Sequence, residues 1–402
     1  MDTKMMTMTT ESCKMKLFIA GTGTFTINWD DGSEIETGDL HQVDEDFYDA
    51  DKRGKFGFNH ISNLSVRNVV ITGENITHLI CSGNRIMSLD VCGNSGLTGL
   101  ACGSNCLTSF DISNNTALEW LNCSDNRLTA LNVSKNAKLE GLTCSKNHLT
   151  SLDVSQNSDL KQLDCSKNQL TSLNISNNTE LAQLFCSDNQ LEFLNVSLNT
   201  KLMELQCYDN QLKNLDITKN TRLIELQCDD NQLTKLDLSQ NSLLMHLECQ
   251  NNQLSTLDLS VCTMLRQLKC HSNPFKKIED FFSAILYGRR IQIREEAHNK
   301  YAIYFPMYKV DGGMYPIYLI AECGRFFLTD EGYTWTELDK IFEMTEHDVL
   351  KNLKAILKQY GARKHASTDA FIIECTPEDV HIKLSYFIQA LTFMLNMKIF
   401  YI

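Results

Sequence analysis

Cysteine recurs at Cys81, Cys102, Cys123, Cys144, Cys165, Cys186, Cys207, Cys228, Cys249 and Cys270, each 21 residues after the one before. Thiols at a regular spacing could pair as disulfides, hold a metal, or fill a core as small apolar side chains, and each reading implies a different protein. The choice depends on the element that carries them. Leucine stands two residues before each cysteine and asparagine three after it, within the phrase LxxLxCxxNxLxxLxVxxN. Leu163 and Cys165 alternate as in a short strand with both side chains inward, and Asn168 follows where the chain must turn.

Self-similarity at a fixed period marks a repeat architecture. One phrase with a single short strand and a turn cannot offset its own loss of chain entropy, so the phrases must stack and pair their strands in parallel. Stacking lines the cysteines up in a ladder at the strand spacing of about 4.8 Å. A disulfide needs Cβ atoms about 3.8 Å apart, and one inward thiol per coil offers a metal no convergent histidine or carboxylate. Cysteine is therefore expected to behave as a small buried hydrophobe, which suits a reducing compartment. The asparagine row is expected to hydrogen-bond backbone groups of its own coil and the next. The NVS, NIS and NCS triplets follow from the phrase and carry little weight as glycosylation signals.

The phrase LDVSxNxxLxxLxCSxNxLTxLDVS resembles leucine-rich repeats, and is closely similar to the short-repeat leucine-rich proteins of Bacteroides-type gut bacteria. The resemblance covers about half the chain. It implies an α/β-type leucine-rich repeat solenoid, with parallel β-strands on the concave face and an irregular convex side, that binds other macromolecules through the strand face.

Four segments follow. Residues 1–14 are expected to be a flexible N-terminus, 15–75 a β-rich cap, 76–275 a solenoid of about ten coils, and 276–402 an α+β domain. All four prolines lie after the repeats, and Pro274 ends the phrase just after Asn273; Cys262, Phe275 and Ile278 already depart from it. In the cap, KLFIAGTGTFTINWDDGSEIETG reads as two strands around a DDGS turn, and KFGFNHI and SVRNVVITG as two further β-rich stretches. TINWDDGS resembles the hairpin of PKD-like β-sandwiches, departing from it at Asp30 where glycine is usual, and ITGENITHL is similar to the junction in the gut-bacterial repeat proteins. Asp30 and Asp31 could touch a cation, although a solvated hairpin turn is the favoured reading.

Downstream, KKIEDFFSAILYGRR, TEHDVLKNLKAILKQYG and EDVHIKLSYFIQALTFMLNM have helical apolar spacing, while KYAIYFPMYKV, MYPIYLIAE, RFFLT and AFIIEC read as strands. RFFLTDEGYTWTELDKI resembles an uncharacterised bacterial and phage domain family marked by LTDDGYT, with Glu331 in place of its second aspartate. That family brings no activity with it. Asp330 and Glu331 are sequence neighbours, better placed for helix capping than for acid–base work across a substrate. His365, His381, Cys323 and Cys375 lack metal spacing. No phosphate-binding glycine loop, nucleophile elbow or HExxH phrase occurs. No catalytic residue, cofactor or metal is therefore expected.

A net charge of -13 and a pI near 5.3 disfavour nucleic acid and anionic membranes as partners. With no run of 18 or more apolar residues and no signal-like start, a cytoplasmic location is expected. The alternative is the cell surface by a non-classical route.

If the leucine and cysteine point inward, the residues around them face a partner. Early coils are small and neutral there. Later coils gather Phe185, Glu204, Gln206, Tyr208, Glu225, Gln227, Asp229, His246 and Glu248, beside an apolar row of Met203, Ile224 and Met245 where earlier coils carry Glu119, Glu140 and Lys161. Aromatic and methionine side chains rimmed by carboxylates have the composition of an interface core. The expected function is non-enzymatic recognition of a protein ligand with a basic surface. The C-terminal domain folding back on this face is a second candidate ligand. The rival is a sensor and effector protein, in which residues 276–402 are an enzyme or act on nucleic acid.

Overall fold

The computed structural model describes residues 4–43, 57–259, 261–262, 264–270 and 273–274, and in the C-terminal region 292–297, 300–308, 314–322, 325–329, 362–364 and 371–375. The chain forms two compact units, Met1–Leu254 with Met264–Lys269, and Ser255–Thr263 with Cys270–Ile402.

In the first unit each coil contributes a three-residue strand centred on the phrase leucine. From β7 (Gly99–Ala101) through β10 (Gln162–Asp164) and β11 (Gln183–Phe185) to β15 (Gln267–Lys269), neighbouring strands pair in parallel with a register of one coil. Leu163 thus lies between Leu142 and Leu184. The leucines from Leu100 to Leu247 and the cysteines from Cys81 to Cys249 are fully buried. No helix occurs among the described residues, so the rest of each coil is irregular.

Asparagine ties one coil to another. Asn168 Nδ2 donates to the carbonyls of Cys165 (3.1 Å) and Ser166 (3.2 Å) in its own coil and to Cys144 (3.1 Å) in the coil before. Its Oδ1 accepts the Leu149 N–H at 3.0 Å. The bridge runs to the preceding coil, not to the next as expected. The reason is local: Lys167 is left-handed (φ 53), as are Asp188 and Asp230 in the same place, and this turns the following asparagine back under the loop already laid down. A second, fully buried asparagine row does similar work, Asn157 Nδ2 donating to Val133 O (3.1 Å) and Asn136 O (2.8 Å).

The N-terminal strands are β1 (Lys4–Thr10), β2 (Lys14–Asn28), β3 (Glu36–Asp39), β4 (Gly57–Ile61), β5 (Arg67–Ile80) and β6 (Ile86–Asp90). The long β5 joins cap to solenoid. One edge pairs antiparallel with β2, from Asn28 opposite Val70 to Phe18 opposite Ile80. The other pairs with β1 along Arg67–Gly73 and then, in parallel, with β7 along His78–Ile80. β1 also pairs with β6, Thr7 lying opposite Asp90. Both exposed sides of the first coil are thereby covered. The expected flexible segment 1–14 is corrected by this: Met6, Met8 and Thr10 alternate inward and are buried, because their methionines complete the core that β5 and β6 would leave open.

The DDGS turn joins β2 to β3 as expected, yet it is not simply solvated. Asp30 is left-handed (φ 55), the conformation that makes glycine usual there. Asp31 accepts from His60 Nε2 (2.5 Å), Arg67 Nη1 (3.4 Å) and Ser33 (2.6 Å from its hydroxyl), and the Trp29 indole stacks on His60 at 4.5 Å. Hydrogen bonds from His60 first and Ser33 next hold the Asp31 carboxyl well below the usual carboxylate range, against the opposing effect of burial. Its oxygens are engaged by protein donors, which removes the ground for a cation at Asp31.

The second unit holds a six-stranded sheet in the order β16 (Gln292–Ala297), β17 (Lys300–Tyr308), β18 (Met314–Glu322), β19 (Arg325–Thr329), β21 (Phe371–Cys375), β20 (Arg363–Lys364), with antiparallel pairing throughout. β17, β18, β19 and β21 are the four strands expected from alternation. The three expected helices lie outside the described residues.

Candidate functional site

The strand face is built from the residues that flank each inward leucine. On β12 (Glu204–Gln206), β13 (Glu225–Gln227) and β14 (His246–Glu248) the central leucine is buried and both neighbours are half-buried. The parallel register aligns Glu204, Glu225 and His246 in one row, and Phe185, Gln206, Gln227 and Glu248 in another. The expected face is therefore brought together as one surface. Met203, Ile224 and Met245 run alongside. The Ile224 N–H donates to Met203 O and the Met245 N–H to Ile224 O, each at 2.8 Å, and Met203 is 42% exposed. Tyr208 stands half-buried just after Cys207.

Part of the expected acidic rim is already neutralised. Glu248 pairs with Lys269 Nζ at 2.8 Å and accepts Gln267 Nε2 at 3.1 Å. Glu225 accepts Gln227 Nε2 at 2.8 Å and has His246 Nδ1 at 3.8 Å. Asp229 departs from the expected exposed contact, being buried to 8% exposure. Burial pushes its carboxyl up to about 6, the charges of Glu248 and Asp230 adding to the rise and its backbone hydrogen bond opposing it. Asp209 is raised too, by burial and then by Asp230 and Asp188.

Sequence reasoning missed two features of the surface. Trp120 stands 39% exposed in the Glu204 row of an early coil, and its indole occupies the space beside Gly141, where a Cβ would lie 2.8 Å from its Cδ1. His78 covers Gly99 in the same way, with a Cβ there 2.3 Å from its Cδ2. The signal was present as a large ring followed by glycine one coil later. Away from the strands, Phe193 (66% exposed) and Leu198 (54%) line a groove of about 570 Å³ with Thr171, Asn174, Gln190 and Gln211. Their counterparts one coil earlier are Ser172 and Asn177.

The buried ladder thiols are chemically quiet, since burial raises Cys81 and Cys123 to about 12. The ladder cysteines, with Cys13, Cys92, Cys106 and Cys262, are free thiols, and among the described residues no three His, Cys, Asp or Glu side chains converge as a metal site. Cys375 ends β21, whereas Cys323, Asp330, Glu331, His365 and His381 lie outside the described residues.

The ladder has a counterpart in a solved structure. The functional domain of InlJ from Listeria monocytogenes, which includes a cysteine ladder, is 39% identical over 52% of this chain and 47% of that one, with a TM-score of 0.50. The repeat unit folds as a leucine-rich repeat solenoid. This chain spans about half the length of the InlJ structure. A leucine-rich repeat protein of Leptospira interrogans, LIC12759, is 22% identical over 51% of this chain and 57% of its own, with a TM-score of 0.47. An internalin of Listeria monocytogenes, InlF, is 23% identical over 52% and 71%, with a TM-score of 0.44. Residues 305–394 match a family described as a domain of unknown function, DUF1828, and contain the RFFLTDEGYT stretch. No curated protein is significantly similar to this chain.

Proposed function

We propose that this chain is a non-enzymatic recognition protein that binds a protein partner on the strand face of its later coils. The observation that carries the reading is the contrast along one register. The strand leucine and the cysteine that face the core recur in every coil, while Phe185, Met203, Tyr208 and Glu204, which need no particular identity to hold the coil, break the pattern of the earlier coils and stand partly exposed together. An apolar centre of aromatic and methionine side chains supplies contact area, and the acidic residues around it favour a basic partner surface. The 21-residue phrase supports kinship with the short-repeat gut-bacterial type, and the free thiols support a reducing, cytoplasmic setting.

Affinity capture from native lysate tests the reading, comparing the full chain with a Phe185→Ala, Tyr208→Ala, Glu225→Arg variant of unchanged melting temperature. A protein retained by the wild type and lost with the variant is expected. Identical captures would move recognition off this face.

A further inference from the structure

The groove away from the strands is framed by two successive coils. Phe193 and Leu198 form one wall, and Thr171, Ser172 and Asn174 of the coil before form the other. Leu191, Leu194 and Val196 already fill the inward positions beside Phe193 and are buried, so the core has no use for either exposed side chain. Ser172 and Asn177 hold the equivalent positions one coil earlier, and Asn214 and Lys219 one coil later. The apolar pair is confined to a single coil. Large apolar side chains that stand together in water, rather than singly, mark a contact surface.

The charge on a neighbouring column says what fits there. Lys201 comes three residues after Leu198, and its equivalents at the 21-residue period are Asp159, Glu180 and Arg222. Along the stack the order is negative, negative, positive, positive. The sign reverses between Glu180 and Lys201, which belong to the same two coils that frame the groove. Glu180 Oε2 and Lys201 Nζ pair within the chain, but both side chains are substantially exposed, and such a pair holds little. Neither Asp159 nor Arg222 forms an ion pair among the described residues.

An array of this kind is its own complement. A two-fold axis lying in the surface, across the stacking direction and midway between the two coils, reverses the coil order and leaves each column facing itself. Phe193 of one copy then meets the other copy at Ser172, where the groove wall is small. Glu180 faces Lys201, and Asp159 faces Arg222, each twice and with no like pair. Any other register along this column sets at least one like-charged pair opposite. A partner of different chemistry would not require the inversion.

We propose that the Phe193 groove and the column from Asp159 to Arg222 form an isologous interface with a second copy of this chain, the two solenoids running antiparallel. The contact uses residues away from the strands, so it leaves the strand face of each copy free.

Sedimentation velocity of the full chain tests this. At up to about 100 μM, above the micromolar end of standard-size interfaces, a dimer is expected. Phe193→Ser, which installs the side chain found one coil earlier, should weaken the dimer by about tenfold or more at an unchanged melting temperature. Glu180→Lys alone and Lys201→Glu alone each set like charges opposite one another, and each should be monomeric. Mixed together, these two variants should form a heterodimer, because every charge then faces its opposite across the axis. Mixing cannot rebuild the Glu180–Lys201 pair within either chain, so the rescue reports contact between copies. A wild-type chain that stays monomeric would overturn the proposal, as would a dimer indifferent to Phe193→Ser. A variant mixture that stays monomeric would overturn the two-fold register. A monomeric wild type that captures another protein through Phe193 would give the groove to that protein and sink the dimer.

Discussion

Asn168 Oδ1 accepts the Leu149 N–H at 3.0 Å across a coil boundary, while its Nδ2 reaches Cys144 O, also one coil back. One side chain therefore satisfies buried backbone groups of two coils at once. Asn168→Ala should lower stability by about 1–3 kcal/mol, because it strands a buried donor and several carbonyls. The denaturant midpoint is the measurement. Binding at the strand face should be unchanged at temperatures where both proteins are folded.

The ladder cysteines should resist modification while the chain is folded. Cys13 is exposed, Cys92 and Cys106 are half-buried, and the thiols from Cys81 to Cys249 along the ladder are buried. Thiolate is the reacting form, so a thiol raised to about 12, as at Cys123, is unreactive at neutral pH. Native alkylation followed by mass spectrometry should label Cys13 first and the ladder only after denaturation. Early labelling of Cys165 would contradict the packing described.

Asp229 predicts a particular dependence of stability on pH. Its folded value of about 6 lies above the ordinary 3.8, so between these values the folded chain binds a proton that the unfolded chain does not. Stability from this group therefore falls as pH rises from about 4 to about 6. Asp229→Asn should raise the melting temperature at pH 7, and the gain should shrink towards pH 4.

Asp31 predicts the opposite sign. Its carboxyl is held below the ordinary value of 3.8, so its contribution is complete above that pH and is lost only in stronger acid. Arg67 is fully buried, and besides Asp31 its guanidinium donates from Nη2 to the Ser12 carbonyl at 3.1 Å, so Asp31→Ala would leave a buried cation without its carboxylate. The cost should be about 3–5 kcal/mol at neutral pH, the range for breaking a buried ion pair. Trp29 fluorescence should report it, since Trp29 stacks on His60 in the same cluster.

How far the sequence could be read depended on whether a residue's role repeats. Leu163, Cys165 and Asn168 recur each coil, so their inward direction, and the absence of a disulfide at Cys165, follow from spacing alone. The direction of the Asn168 bridge does not, because it depends on the left-handed turn at Lys167. β1 was missed for another reason: KMMTMTT alternates too briefly to stand out, and its partners lie far along the chain. Within the binding face, the alignment of Glu204 with Glu225 was legible from the period. The burial of Asp229 was not, because it is set by side-chain packing that no period records.

β1 also bears on how the chain is made. Its partners, Gly73 for Lys4 and Asp90 for Thr7, emerge from the ribosome long after it does. At about 5–20 residues per second, the first strand waits several seconds for them. During that interval its methionines have no core to enter. The coils are different: each leans on the one already made, through Asn168 and its equivalents, so once β1 is seated the solenoid can assemble in step with translation.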